Sequence, residues 1–350
     1  MLIWRPDHRP TSEGGRARAA ARLALGLLLL ALALFALALI SLATGARAIP
    51  LENVWAALVA FDPNATEHRI VWDLRLPRTI VGLMVGAALG LAGAVLQGAT
   101  RNPLADPSIL GIHAGASLAV VLGVALLGMT QLSSYVWLAF AGAGLSMLVV
   151  YSVASVGRDG ATPVKLALAG AAITAVLYAI INAILLTSPR TLDEVRFWQV
   201  GSLSGRTVDI ALQVAPFLLI GALLALATAR LLDGLSMGDD VARAIGQRVG
   251  LSRGLAGLAA VVLAGASTAA AGPIAFVGLT VPHVARAIAG PSYRWILPYS
   301  MLLAPILLLG ADVIGRVIAT PGEVQVGIVT AFLGAPVFMA LVRRRKLAAL

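Results

Sequence analysis

The chain has 350 residues, of which 59% are hydrophobic and only 12% are charged. Because a soluble domain carries about 25% charged residues, this composition excludes a water-soluble globular protein and indicates that lipid is the solvent. The sequence has no cysteine, which excludes a disulfide scaffold, a thiolate metal site and a cysteine nucleophile. The net charge of +10 does not predict a nucleic-acid partner, since the charges lie in short breaks between apolar runs.

The chain opens with a basic tail and a long apolar run. The tail covers residues 1–20, the apolar run covers 23–42, and five arginines precede that run: Arg5, Arg9, Arg16, Arg18 and Arg22. Ala46-Arg47-Ala48 resembles a signal-peptidase site. However, an apolar run of 20 residues exceeds the roughly 7–15 of a signal sequence. We therefore predict an uncleaved first transmembrane helix.

Ten segments are apolar enough to span a membrane as helices, which takes about 20 residues each. They cover approximately residues 21–42, 76–99, 108–128, 132–156, 164–187, 209–230, 253–271, 274–290, 295–317 and 324–342. No soluble domain interrupts the series, so residues 21–346 are predicted to form one all-α transmembrane domain. The boundaries near Pro107 and near Gly272-Pro273 favour short or broken helices.

The second segment carries glycines at a regular spacing. Gly82, Gly86 and Gly90 recur every four residues, and Gly93 follows closely. This spacing lines one helix face with glycine, which allows a neighbouring helix to approach closely. We predict that this helix is central and tightly surrounded.

Positive charge predicts the orientation in the membrane. Ten helices put both termini on one side, and 18 of the 26 Lys and Arg residues fall in the segments on that side. The positive-inside rule therefore makes both termini, including the tail 1–20, cytoplasmic.

The longest cytoplasmic connection covers about 232–252. Asp239 and Asp240 suit a helix N-terminus there, so both a short helix closed by Gly246 and a solvated loop remain open.

Three arginines lie at predicted external helix ends, against the positive-inside trend: Arg75, Arg78 and Arg316. Arg75 and Arg78 share one helix face if the helix begins there. Since arginine pairs with carboxylates in a planar, bidentate manner, one hypothesis is a docking surface for an acidic extracytoplasmic partner. The alternative is that these side chains snorkel and anchor the helix ends.

Chemistry-bearing residues are scarce within the apolar segments. Asp312 and Arg316 are four residues apart, which favours a neutralised structural pair over a proton relay. Neither Lys165 nor Lys346 follows a glycine-rich run, so a phosphate-binding GxxxxGK[ST] loop is absent. The four histidines are widely separated and predict no metal site. We expect no catalytic residue, metal or cofactor in this chain.

Ordered motifs over about 70–346 resemble the ABC importer permeases for ferric siderophores, haem and cobalamin. The motifs are Arg75-Leu76-Pro77-Arg78, 86–89, Asn102-Pro103-Leu104-Ala105-Asp106-Pro107, 110–111, 238–246, 272–283, 309–312 with Arg316, 327–330 and 334–336. The resemblance implies a type II ABC importer permease architecture of ten transmembrane helices.

The resemblance also implies partners and residue roles. The partners are a second permease subunit, identical or paralogous, two ATP-binding subunits that carry the ATP and Mg, and an extracytoplasmic substrate-binding protein. The residues implied to couple to the ATPase are Gly238, Asp239, Asp240, Ala242, Arg243, Ala244, Ile245 and Gly246. Arg75, Arg78 and Arg316 are implied to face carboxylates of the binding protein. The fifth helix, residues 190–205 and the tenth helix are implied to line or gate the path.

Three stretches are most similar to the ferric-siderophore branch: 110–116, 191–203 and 322–327. His113 departs from the Asn or Ser expected at its position. The expected function is therefore ATP-driven import of iron(III)–siderophore complexes across the bacterial cytoplasmic membrane. Import of haem or cobalamin is the nearest alternative. An ion-coupled secondary transporter would need functional mid-membrane acids, and a membrane scaffold would not need both a coupling segment and external arginines.

Overall fold

A computed structural model describes residues 13–129, 131–157 and 162–348, and every regular element in these ranges is helical. In chain order the α-helices are α1 (Glu13–Ala43), α2 (Leu51–Val59), α3 (Thr66–Arg69), α4 (Leu76–Thr100), α5 (Ile112–Leu127), α6 (Leu132–Ala154), α7 (Pro163–Thr187), α8 (Pro189–Gln199), α9 (Val208–Ala227), α10 (Ala229–Ser236), α11 (Asp239–Ala244), α12 (Val249–Ala271), α13 (Val277–Ala289), α14 (Tyr293–Ile318) and α15 (Val326–Ala348). A π-helical stretch, Ile70–Arg75, joins α3 to α4.

The prediction of ten apolar helices is confirmed. Within the described ranges, seven helices are long and apolar enough to cross a membrane, and three shorter apolar helices, α5, α13 and α15, complete the set. α1 begins at Glu13, inside the segment predicted as a tail.

Two predicted helix starts were several residues too early. α5 begins at Ile112 rather than at 108, and α13 begins at Val277 rather than at 274. In both places the residue just before the helix lies in the left-handed region, Gly111 at φ +73° and Phe276 at φ +68°. A helix cannot continue through such a residue, so the apolar run extends beyond the helix itself.

α4 and α12 form the centre of the bundle. In their most apolar windows 78% and 72% of the residues are buried, whereas no residue in the corresponding window of α1 is buried. The glycine face of α4 packs on α14 and α13: Gly82 against Leu309, Gly86 against Pro305, Gly90 against Ser300 and Ala304, and Gly93 against Gly278. A Cβ on Gly93 would overlap the Gly278 carbonyl, so the two backbones touch.

The ten apolar helices alternate in direction and create two faces. The face at which α1 begins and α15 ends, here the termini face, includes 101–111, 228–248 and 290–292. The opposite, distal face includes 44–75, 188–207 and 319–325.

Non-helical backbone enters the bundle from the distal face. Ser202 N donates to Ala271 O at 2.8 Å, and Gly327 N donates to Gly201 O at 3.0 Å. These bonds satisfy backbone groups away from water, which makes irregular structure acceptable at this depth. Gly201, at φ +82°, supplies the left-handed turn that this connection needs.

Candidate functional site

The distal face contains a cluster of charged side chains between α4 and α14. Arg78 lies in the first turn of α4, while Asp312 and Arg316 lie on the last turns of α14. Arg78 Nη2 is 2.7 Å from Asp312 Oδ1, and Arg316 Nη2 is 3.0 Å from Asp312 Oδ2. Arg78 Nη1 is also 2.7 Å from Glu323 Oε2. The predicted Asp312–Arg316 pair is therefore confirmed, and it is part of a larger network.

Arg75 and Arg316 hold the C-terminal end of α1. Arg75 Nη1 donates to the carbonyls of Leu42 and Ala43, each at 2.7 Å, and its Nη2 donates to the Arg47 carbonyl. Arg316 Nη1 donates to the carbonyls of Ser41 and Thr44 at 2.9 and 2.6 Å. The last carbonyls of a helix have no partner within it, and the helix dipole favours cations there. The two arginines thus fasten α1 to α4 and α14.

The three predicted docking arginines have partners within the chain and still border an open cleft. Arg75 and Arg316 are 7% and 5% exposed. They line a cleft of about 350 Å³ on the distal face together with Arg47, Arg78 and Glu323. This arrangement anchors helix ends and also leaves positive charge at the border of the cleft. Docking remains a prediction.

Glu323 lies in the connection between α14 and α15, outside the spanning helices. Burial alone would raise the pKa of Glu323, but hydrogen bonds from Ser204 and Arg78 and the charges of Arg78 and Arg316 lower this pKa below its ordinary value of 4.5. A depressed carboxyl pKa stabilises the fold above the unfolded-state pKa, and this contribution is lost as the pH falls through the folded-state pKa.

We therefore predict that the stability difference between wild type and Glu323→Gln is full at pH 7 and shrinks below about pH 4.5. The measurement compares the melting temperatures of both proteins in detergent at pH 7, 5 and 4. The exposed pair Arg69–Asp73, 3.9 Å apart, supplies the control variant Asp73→Asn. A Glu323→Gln penalty that stays constant down to pH 4 would contradict the assignment.

On the termini face, α10 and α11 pack across the ends of α4, α12 and α14. Asp233 Oδ1 accepts a hydrogen bond from Tyr293 N at 2.6 Å, so this carboxylate caps α14. Asp239 Oδ1 is 2.9 Å from Arg253 Nη2 and 3.6 Å from Arg101 Nη1. These contacts join the segment to three helices of the bundle.

Of the two alternatives left open at Asp239, a short helix or a solvated loop, the structure shows the helix. It spans Asp239–Ala244 and is followed by Gly246 at φ +82°, while Gly238 precedes it at φ +108°. Ala242, on the inner side of this helix, is fully buried. The other side faces solvent with Asp240, Arg243, Ala244, Ile245 and Gly246. Ile245 is 64% exposed. An exposed apolar residue on a short, well-anchored helix is suited to contact another protein.

Sequence reasoning missed several members of both sites. Ser41 and Thr44, which contact Arg316, gave no signal because they look like ordinary helix-end residues. Glu323 was noted only as part of a cargo motif, although an external acid beside external arginines could have identified it. Arg101 and Arg253 were counted only as topology signals.

Within residues 13–129, 131–157 and 162–348, no three His, Asp or Glu residues form a group that could hold a metal ion.

Comparison with known proteins agrees with this architecture. The sequence matches the FecCD transport family over residues 31–344. It is 48% identical to the ferric enterobactin transport system permease protein FepD of Escherichia coli (strain K12), over 87% of this chain and 91% of that protein. It is 37% identical to the cobalamin import system permease protein BtuC of Halobacterium salinarum, over 85% of this chain and 79% of that protein.

A solved structure has the same fold. An inward-facing structure of a metal-chelate-type ABC transporter superposes with a TM-score of 0.77 at 27% identity, covering 91% of this chain and 98% of that one. The family match extends over nearly the whole helical bundle, including the arginine cluster and the α10–α11 segment. The chain therefore belongs to the FecCD transport family and is a multi-pass membrane permease.

Proposed function

We propose that this chain is the transmembrane permease subunit of an ATP-driven importer for iron(III)–siderophore complexes in the bacterial cytoplasmic membrane. The observation that carries the proposal is the 48% identity, over 87% of the chain, to a permease named for ferric enterobactin transport. A siderophore permease of Bacillus subtilis, YfiZ, is 40% identical over the same share of the chain, which supports the same cargo class. The more distant cobalamin permease keeps cobalamin as the second candidate.

The proposed complex contains a second permease subunit, two ATP-binding subunits and an extracytoplasmic binding protein. The termini face is cytoplasmic in this proposal, so the α10–α11 segment meets the ATPase and the distal cleft meets the binding protein. α7, α8 and α15 border the path. The cargo undergoes no covalent change. ATP binding and hydrolysis in the partner subunits shift the permease between states that contact the cargo differently.

Uptake of radiolabelled iron into proteoliposomes tests this function. The purified complex, with its ATP-binding subunits, is supplied with ferric siderophore, haem or cobalamin, each with its binding protein. We expect ATP-dependent uptake of the ferric siderophore only. Uptake of cobalamin or haem instead would contradict the cargo, and uptake that persists without ATP would contradict the mechanism.

Coupling to the ATPase predicts a specific effect at Ile245. Ile245→Asp places a charge on the exposed residue that directly follows α11. We expect more than a tenfold loss of ATPase-subunit association and of uptake, since an apolar interface residue contributes about 2 kcal/mol when it is a hot spot. The melting temperature of the isolated chain should not change, because the side chain is exposed. Co-purification and uptake are the measurements.

Val59→Asp is the matched control. Val59 is a 69% exposed apolar residue of α2 on the distal face, so the same change there should leave ATPase association intact. Equal loss in both variants, or normal coupling in Ile245→Asp, would remove α11 from the interface.

A further inference from the structure

The outer surface of the bundle contains a groove between α6 and α12, and the proposed function assigns no role to its apolar walls. Its volume is about 790 Å³, within the roughly 300–1,000 Å³ typical of small-molecule sites. Gly144, Met147 and Leu148 of α6 and Gly254 and Leu258 of α12 form its apolar walls. Both helices are among those long and apolar enough to cross the membrane, so the groove faces acyl chains along its length.

Glycines on α12 create the groove. Gly250 and Gly254 lie one turn apart, and a Cβ on either would meet nothing within 4 Å. The empty space is therefore a property of the surface and not a gap left by close helix contact. The neighbouring side chains Leu148 and Leu258 are 65% and 51% exposed, which leaves the apolar walls accessible from the side.

Positive charge is confined to one end of the groove. Arg243, Arg248 and Arg253 border it at the termini face, close to Tyr151 in the last turn of α6. Asp239 and Asp240 compensate two of these arginines: Asp239 is 2.9 Å from Arg253 and 3.9 Å from Arg243, and Asp240 is 3.0 Å from Arg243. Arg248 is exposed and forms no ion pair with any residue in the described ranges.

This distribution fits one kind of occupant. An apolar slot at membrane depth with an uncompensated guanidinium and a tyrosine at its water-side end matches an amphiphile with an anionic head and an acyl tail. A peptide or a second protein would not require charge at one end only. We propose that the α6–α12 groove is a binding site for an anionic phospholipid, with its phosphate at Arg248 and an acyl chain along Gly250 and Gly254.

Native mass spectrometry of the purified full chain tests the proposal. The chain is titrated with phosphatidylglycerol, with phosphatidylcholine carrying the same acyl chains, and with glycerol phosphate. We expect one phosphatidylglycerol to bind more tightly than phosphatidylcholine, and glycerol phosphate not to bind, because the acyl chain is required. Equal binding of the two lipids, or binding of glycerol phosphate alone, would overturn the proposal.

Two variants locate the site. Arg248→Gln should weaken phosphatidylglycerol roughly fivefold, to the level of phosphatidylcholine. Gly254→Leu should weaken both lipids, because a larger side chain there occupies part of the groove and its Cβ meets no atom of the chain within 4 Å. The controls are Arg230→Gln, which removes an exposed arginine on the same face, and Gly310→Leu, at a helical glycine that also has open space around it. Both controls should bind like wild type.

The same spectra identify a protein occupant. A chain dimer that is present in wild type and lost in Gly254→Leu would assign the groove to a second copy and overturn the lipid proposal. Unchanged lipid preference in both Arg248→Gln and Gly254→Leu would also overturn it. These outcomes are independent of iron uptake, so the lipid site and the proposed transport function can fail separately.

Discussion

Asp312→Ala should destabilise the protein by about 3–5 kcal/mol, the usual cost of leaving buried charges without their partner. Asp312 is 1% exposed and its carboxylate contacts both Arg78 and Arg316. Removing it leaves the guanidinium groups of Arg78 and Arg316 without the carboxylate between them, and the ion-pair link between α4 and α14 is lost. The measurement is denaturant or thermal unfolding of the detergent-solubilised chain.

Two further variants separate charge from shape. Asp73→Ala removes an exposed carboxylate whose partner Arg69 is 3.9 Å away, so it should cost no more than about 1 kcal/mol. Asp312→Asn keeps the shape but loses the charge and should fall between the two. If Asp312→Ala costs as little as Asp73→Ala, then the cluster does not hold α4 and α14 together.

Gly93→Ala should destabilise the protein by about 1–3 kcal/mol, the typical cost of overpacking. A Cβ at this position overlaps the Gly278 carbonyl. The atoms that the Cβ would meet all belong to the backbone of Gly278. No side chain can rotate away from them, so α13 must move. Unfolding in detergent and the yield of correctly inserted chain are the measurements.

Gly310→Ala should change the stability in the opposite direction. Gly310 is also in a helix, but a Cβ there meets nothing within 4 Å, so alanine should be neutral or stabilising by up to about 1 kcal/mol. A similar loss in both variants would mean that glycine acts through helix propensity alone and not through the contact between α4 and α13.

The sequence predicts the spanning helices well because hydropathy over about 20 residues is a strong signal. It fails at the starts of α5 and α13, where the non-helical stretches before them contain Leu110 and Ile274. These residues are as apolar as any in a helix, and both are buried. Composition cannot distinguish helix from turn when the turn is itself buried in protein.

The charged cluster was predictable only in part. Asp312 and Arg316 are four residues apart, so helical spacing alone brings them together. Arg78 is 234 residues from Asp312, and the Ser41 carbonyl is 275 residues from Arg316. Such contacts depend on which helices become neighbours, and a single sequence carries no spacing signal for that. Docking and ATPase coupling depend on partner proteins, so neither the sequence nor the structure of this chain alone can test them, and both stay predictions.

The way in which α1 is held has a consequence for how the protein is made. α1 leaves the ribosome well before α14, yet its terminal carbonyls accept hydrogen bonds from Arg75 and from Arg316, which lies on α14. Until α14 has been synthesised and inserted, part of that helix end lacks its native partners. α1 therefore enters the membrane as an independent hydrophobic segment and docks late. The C-terminal end of α1 acquires its full set of hydrogen-bond partners only once α14 is in the bilayer.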